Sequence, residues 1–85
     1  MIHELKTWSQ YYAAVESGAK KFELRKDDRG FNVGDVLVLT EVNSVDLRPT
    51  GRQCQRVIEY IVRDCEPFGL KKGFCILGIR DREDY

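Results

Sequence analysis

The sequence is poor in the residues that form disulfides or bind metals. It has three cysteines, Cys54, Cys65 and Cys75, without a Cys-x-x-Cys pair, and His3 is its one histidine. An odd number of cysteines with no ligand spacing argues against both a disulfide scaffold and a zinc site. We therefore expect reduced thiols that fill small spaces in the core, and neither a metal nor a cofactor.

The chain also lacks an excess of charge and a long apolar run. Its 14 Lys and Arg residues balance 14 Asp and Glu residues. A neutral chain has no broad positive field, which argues against a non-specific nucleic-acid binder, so any basic site has to be local. No apolar stretch reaches membrane-spanning length, and the first residues, MIHELKTW, have neither the charged head nor the apolar run of a signal peptide. These features predict a soluble, cytoplasmic protein with no membrane partner.

The residues that are present suffice for one folded domain covering residues 1–85. Hydrophobic residues make up 42% of the chain and aromatic residues 11%. A chain of this size buries about 60 to 65% of its unfolded surface, which leaves room for one small core. The oligomeric state stays open.

The first part of the chain predicts a short strand and then a helix. Residues 2–6 alternate loosely, as in an edge strand. In Thr-Trp-Ser-Gln, the Thr7 hydroxyl can accept from the backbone N–H of Gln10, which predicts a helix from Trp8 to Ser17. Gly18 stands where a helix C-cap needs positive φ. Four residues form the predicted apolar stripe of this helix: Trp8, Tyr11, Tyr12 and Val15.

Charged residues are dense after this glycine. Residues 20–26 read KKFELRK, and the alternation of Phe22 and Leu24 predicts a strand with these two side chains on the core. Glu23 and Arg25 would then project to the opposite face. Lys20 shares parity with Phe22, so it joins them only if the chain twists or bulges after Gly18.

Three further strands complete the prediction. Residues 36–42, VLVLTEV, open with four apolar residues, as in a central strand buried on both faces. A loop over residues 43–51 separates this strand from a long one over residues 52–64, in which Ile58, Tyr60 and Val62 share a face, and residues 74–80 form the last strand. We therefore predict an α+β, mainly β fold: a small β-barrel of five to six strands with one N-terminal helix packed across an opening.

The glycine and charge pattern resembles that of a known domain. Gly18-x-Lys20-x-x-Glu23-x-Arg25 is similar to the GxKxxExR signature of ASCH domains, a branch of the PUA-like superfamily. More closely, residues 1 to about 80 resemble a small bacterial and phage family of unknown function with an ASCH-like fold. The shared positions outside the signature are His3, Leu5, Lys6, Lys26, Asp28, Arg29, Phe31, Val33, Gly34, Asp35, Gly69, Leu70 and Gly73.

The resemblance implies RNA or a nucleotide as the partner, held in a cleft between the helix and the barrel. It also leaves an enzyme open, because one ASCH group hydrolyses acetylated cytidine with a Lys, a Thr and a distant Glu. Lys20 fits that Lys, but Glu23 stands where the group carries its Thr. A hydrolase reading would assign Lys20 and Glu23 as catalytic residues, with Glu23 as general base.

We expect the binding site to centre on the signature. Lys20 and Arg25 suit phosphate, and Glu23 can orient Arg25 or accept from a base amino group. The alternative is a solvated strand with a weak ion pair. Four further side chains complete the candidate set: Lys6 and His3 near the helix N-terminus, Arg29 at the rim, and Tyr12 (or else Tyr11) for stacking on a base. A protein-interaction domain in which the signature serves structure alone is the third possibility.

Overall fold

Within residues 1–82, the protein is a mainly β domain with one α-helix. The computed structural model describes residues 1–82, so residues 83–85 of the predicted domain lie outside the described part. Within that part there are five strands, one α-helix and one short 3₁₀ turn: β1 (Ile2–Trp8), α1 (Ser9–Glu16), β2 (Phe22–Lys26), β3 (Val36–Val42), β4 (Pro49–Val62), the turn Glu66–Phe68, and β5 (Phe74–Asp81). The mainly β prediction is confirmed, with five strands within residues 1–82 and no sixth.

The five strands form one sheet in the order β1-β3-β4-β5-β2. β1 pairs with β3 in parallel, and the other pairs are antiparallel. The sheet curls into a half-barrel that brings its two edge strands, β1 and β2, toward each other. Arg25 Nη2 donates to the Lys6 carbonyl at 2.8 Å, and Arg29 Nη1 donates to the Glu4 carbonyl at 2.9 Å. Two arginines therefore satisfy carbonyls on the otherwise open edge of β1.

The inner face of the sheet carries the core. Strict alternation on β1 turns His3, Leu5 and Thr7 inward, and β3 and β5 alternate in the same way. A register shift between Ile58 and Tyr60 of β4 leaves Ile58 buried and Tyr60 exposed, so the prediction that they share a face is wrong. The core cluster contains Leu5, Val15, Phe31, Leu37, Leu39, Ile58, Cys75, Leu77 and Ile79.

Helix α1 follows β1 directly and begins later than predicted. Thr7 is the buried penultimate residue of β1, and no side chain caps the helix N-terminus, so the predicted capping box is wrong. Instead, the Ser9 hydroxyl donates to the Val42 carbonyl and ties the helix start to the end of β3. The prediction that Gly18 ends the helix is confirmed, because Gly18 has a φ of 87°.

The faces of α1 and β2 differ from the prediction. Tyr12 and Val15 are buried, as expected, but Trp8 and Tyr11 are 46% and 48% exposed. On β2 the predicted faces are inverted: Glu23 is 2% exposed, whereas Phe22 and Leu24 are 46% and 56% exposed. Alternation defines two faces without saying which one is inside, and here the inner position belongs to a carboxylate that is paired with two cations.

Candidate functional site

A groove lies between the end of β1, the first turn of α1 and strand β2. Its volume is about 420 Å³. Its apolar walls are Trp8, Tyr11, Phe22 and Leu24, and its polar residues are Lys6, Thr7, Lys20, Glu23 and Arg25. The three elements meet here because β1 runs directly into α1 and the curled sheet brings β2 alongside them.

The floor of the groove is a buried carboxylate that accepts from two cations. Lys20 Nζ donates to Glu23 Oε2 at 2.7 Å, and Arg25 Nη2 donates to Glu23 Oε1 at 2.9 Å. Arg25 Nε also donates to Oε1, at 3.3 Å. Lys20 needs no bulge to reach this position, because it precedes β2 and its backbone N–H donates to the Ala14 carbonyl at the helix end. The three signature side chains therefore form one cluster.

Arg25 also links the floor to β1. Its Nη2 donates to Thr7 Oγ1 at 3.0 Å and to the Lys6 carbonyl at 2.8 Å. Among residues 1–82, no group accepts from Arg25 Nη1, so this nitrogen retains two N–H donors. Arg25 thus joins β2 to β1 through Nη2, and its Nη1 remains able to donate to a bound group.

Aromatic rings form the walls. The rings of Trp8 and Tyr11 are stacked, with centroids 6.0 Å apart and an angle of 16° between their planes. Lys20 Nζ lies 5.4 Å from the Tyr11 ring centroid and 4.9 Å from that of Phe22. Cation–π contact with both rings holds the ammonium between the helix wall and the β2 wall.

The groove is positive in a chain that is neutral overall. Three basic residues, Lys6, Lys20 and Arg25, line it against one acidic residue, Glu23. Each carboxylate oxygen of Glu23 accepts a hydrogen bond from a cation, so neither oxygen is free to bind a group in the groove. The Glu23 charge neutralises part of the positive charge of these two cations. An anion beside an aromatic ring is the chemistry that such a surface can bind.

The structure brings together four of the seven predicted site residues: Lys6, Lys20, Glu23 and Arg25. His3 is buried away from the groove, with Nε2 2.8 Å from Asp35 Oδ2 and its ring edge-on to Phe31. Tyr12 is on the inward face of α1 and is fully buried. Arg29 donates to a carbonyl on the open edge of β1. Tyr11, the alternative to Tyr12 as a stacking residue, is the tyrosine that lines the groove.

Sequence reasoning missed four groove residues. Thr7 was assigned to a helix cap, and Trp8, Phe22 and Leu24 were assigned to the core. The signal for Thr7 was present in the alternation of His3, Leu5 and Thr7, which extends β1 by two residues beyond its predicted end. The signal for Phe22 and Leu24 was absent, because exposed apolar residues on an edge strand look like core residues until their neighbours are known.

A second buried carboxylate, Glu41 on β3, lies outside the groove. Arg52 Nε and Thr50 Oγ1 donate to its Oε1 at 2.9 and 2.6 Å. These bonds, chiefly that from Arg52, lower the pKa of Glu41 to about 2. Arg52 of this cluster also contacts Tyr12, with the guanidinium 5.2 Å from the ring centroid, and burial raises the pKa of Tyr12 to about 12.

Over residues 1–82, no cluster of three or more His, Cys, Asp or Glu side chains could hold a metal ion. In the same part of the chain, no helix has the length and apolar character needed to cross a membrane.

Fold and groove together define a small, mainly β domain that curls into a half-barrel and carries a positive, aromatic-walled groove beside helix α1. The chain belongs to the family described as a domain of unknown function, DUF3850, which matches residues 2–79. It is also 45% identical over 40 residues to the "Uncharacterized 12.9 kDa protein in GpA 3'region" of Escherichia phage P2. That match covers 47% of this chain and 37% of the phage protein, so the chain spans little more than a third of this relative.

Proposed function

We propose that the chain is an RNA- or nucleotide-binding module of the PUA-like, ASCH-like kind, and that its groove is the binding site. One observation carries the proposal: exposed aromatic walls stand directly beside a floor on which Lys20 and Arg25 are fixed by a buried Glu23. A nucleotide combines a flat ring system with an anionic phosphate, and this groove offers a partner for each. The resemblance of the Gly18 to Arg25 signature to that of ASCH domains supports the same assignment.

The phosphate partners are Arg25, Lys20 and Lys6. Arg25 Nη1 supplies free N–H donors, and its guanidinium is immobilised by Glu23, Thr7 and the Lys6 carbonyl. Fixing the guanidinium in advance lowers the entropy lost on binding. Glu23 acts here as a positioning residue, because its two oxygens already accept from Lys20 and Arg25.

The base partners are the exposed rings of Trp8, Tyr11 and Phe22. Stacking of a base on an aromatic side chain contributes about 1 to 3 kcal/mol. Each of these rings is about half exposed, so none is fully committed to the core. The groove therefore binds the base by stacking and the phosphate by charge.

A nucleoside amidohydrolase is the second candidate, because Thr7 and Lys20 both line the groove and both side-chain types occur in the ASCH group that hydrolyses acetylated cytidine. The geometry of Glu23 supports this less well, since a carboxylate held by two cations suits electrostatic support better than proton abstraction. Incubation with acetylated cytidine and chromatography of the products tests it. Release of acetate would favour the enzyme, and binding without product would favour the module.

Trp8 gives a direct test of the binding proposal, because it is the one tryptophan in the chain and it lines the groove. We expect nucleoside monophosphates or short RNAs to quench its fluorescence. Tyr11→Ala should weaken this binding by about tenfold, which corresponds to about 1.4 kcal/mol of stacking. Tyr60→Ala, which removes an exposed tyrosine outside the groove, should bind as the wild type does. Unchanged Trp8 fluorescence with every nucleotide, or equal losses in the two variants, would contradict the proposal.

A further inference from the structure

A second concavity adjoins the groove and shares Lys20 with it. This cleft has a volume of about 550 Å³ and lies between the C-terminal end of α1, the second half of β4 and the C-terminal end of β5. Its charged residues are Lys20, Lys21, Arg56, Arg80, Glu59 and Asp81. Four basic residues against two acidic ones make the cleft positive, and Lys20 connects it to the groove.

The cations of the cleft differ in how far they are already paired. Arg56 donates to the Val15 carbonyl at 3.1 Å and lies 3.5 Å from Asp81, so it is used in holding the helix end. Arg80 is exposed and reaches Glu59 only at 3.9 Å, and within residues 1–82 Lys21 forms no ion pair. Lys21 and Arg80 are therefore the two cations that a bound anion can approach.

Lys21 and Arg80 both line the cleft, where strands β2 and β5 meet. The Ile79 N–H donates to the Lys21 carbonyl at 3.0 Å, which continues the β2–β5 pairing that begins at Phe22 and Gly78. Lys21 therefore lies opposite Ile79, one residue before Arg80, and the two cations reach the cleft from different parts of the chain. The C-terminal end of a helix is negative and repels anions. Here Arg56 donates to the Val15 carbonyl, which weakens this repulsion.

We propose that this cleft takes the sugar-phosphate backbone of a single-stranded nucleic acid whose base lies in the groove, with Lys21 and Arg80 contacting successive phosphates. This inference rests on the proposed function and makes it narrower: the ligand is a strand of several nucleotides. Lys20, at the boundary, lies where the chain of phosphates passes from groove to cleft. Single-strand binding sites commonly combine such a cationic track with stacking rings.

The test compares ligands of increasing length by quenching of Trp8. The probes are adenosine and uridine monophosphates and the corresponding homo-oligomers of two, four and six nucleotides, in ribo and deoxy form. We expect affinity to rise at least tenfold between the monophosphate and the tetranucleotide in one or both sugar series. The slope of log K against the logarithm of the salt concentration should become steeper by about 1.4, because each of two added phosphate contacts contributes about 0.7.

Charge reversal locates the contacts. Lys21→Glu and Arg80→Glu should each weaken tetranucleotide binding by about fivefold or more, reduce the salt slope by at least about 0.7, and leave monophosphate binding unchanged. Lys72→Glu makes the same charge change at the opposite end of β5 and should have the wild-type affinity for both ligands.

The outcomes separate the two proposals. If monophosphates bind and longer oligomers bind no better, or if the two cleft variants and Lys72→Glu behave alike, the nucleic-acid track is wrong and the groove proposal stands. If neither monophosphates nor oligomers bind to the wild type, both proposals fail. A gain with length that Lys21→Glu and Arg80→Glu abolish supports the track.

Discussion

Two buried glutamates in this molecule have similar partners and different surroundings. Glu23 on β2 and Glu41 on β3 are 2% and 6% exposed, and each accepts from an arginine and from a second side chain. Glu23 lies at the floor of a groove with exposed aromatic walls. Glu41 lines neither the groove nor the cleft.

The comparison shows that a buried ion pair does not by itself identify a site. Thr7 stands between the two clusters, since it accepts from Arg25 and pairs in register with Glu41. Both clusters therefore belong to the same inner face, and both fix secondary-structure elements to one another. Around Glu23 a cavity and exposed rings accompany the charges, and these features make it the candidate for binding.

The largest expected effect comes from removing the carboxylate of the groove. Glu23→Ala leaves Lys20 and Arg25 facing each other without their shared partner, and it also frees Arg25 from its fixed orientation. Breaking a buried pair in this way costs about 3 kcal/mol or more, so the free energy of unfolding in urea should fall by about that amount. Nucleotide binding should fall with it.

The matched control for this prediction is Glu4→Ala. Glu4 is an exposed residue of β1 whose side chain forms no ion pair within residues 1–82, and its loss should change the unfolding free energy by no more than about 0.5 kcal/mol. A Glu23→Ala protein as stable as the control would show that the cluster is not a stabilising element.

A smaller effect distinguishes the two arginines that reach the open edge of β1. Arg25→Ala removes donors to Glu23, Thr7 and the Lys6 carbonyl, and should lower the unfolding free energy by about 2 kcal/mol. Arg29→Ala removes one exposed bond to the Glu4 carbonyl and should stay within about 0.5 kcal/mol. Urea unfolding measures both. Equal losses would mean that Arg25 closes the edge no more firmly than Arg29 does.

The sequence correctly predicted features that depend on residues close together in the chain, such as the bounds of a strand and the end of the helix. Strand β3 was predicted with the bounds that it has, Val36–Val42, from its apolar run between turn residues. It is an interior strand, but β4 is the central one, and β3 is buried on one face and half-buried on the other, so the prediction of a central strand buried on both faces is wrong. Gly18 ends the helix for an equally local reason, its positive φ. The grouping of Lys20, Glu23 and Arg25 was also expected, from the resemblance to the ASCH signature.

The rest depended on contacts that no local pattern contains. The faces of β2 were predicted in reverse, because burial of Glu23 is favourable only when Lys20 and Arg25 are both in place. The register shift in β4 turned Tyr60 outward without a proline or glycine in residues 58–60 to mark it, and Gly78, which lies opposite Tyr60, is on another strand. His3 is buried because Asp35, far along the chain, supplies its partner. Each of these features is set by a pairing between distant segments.

The smallest expected effect concerns Glu41, the buried glutamate outside the groove. Because Arg52 and Thr50 lower the pKa of Glu41 from 4.5 to about 2, this carboxylate stabilises the fold above about pH 4.5, and its contribution is lost as the pH falls toward 2. Glu41→Gln should therefore flatten the fall of Tm between pH 5 and pH 2, as followed by circular dichroism, while Glu4→Gln should keep the wild-type profile. At neutral pH, Glu41→Gln should bind nucleotides as the wild type does. Parallel Tm profiles would refute the role of Glu41 in acid stability, and a loss of binding would show that the two clusters act as one site.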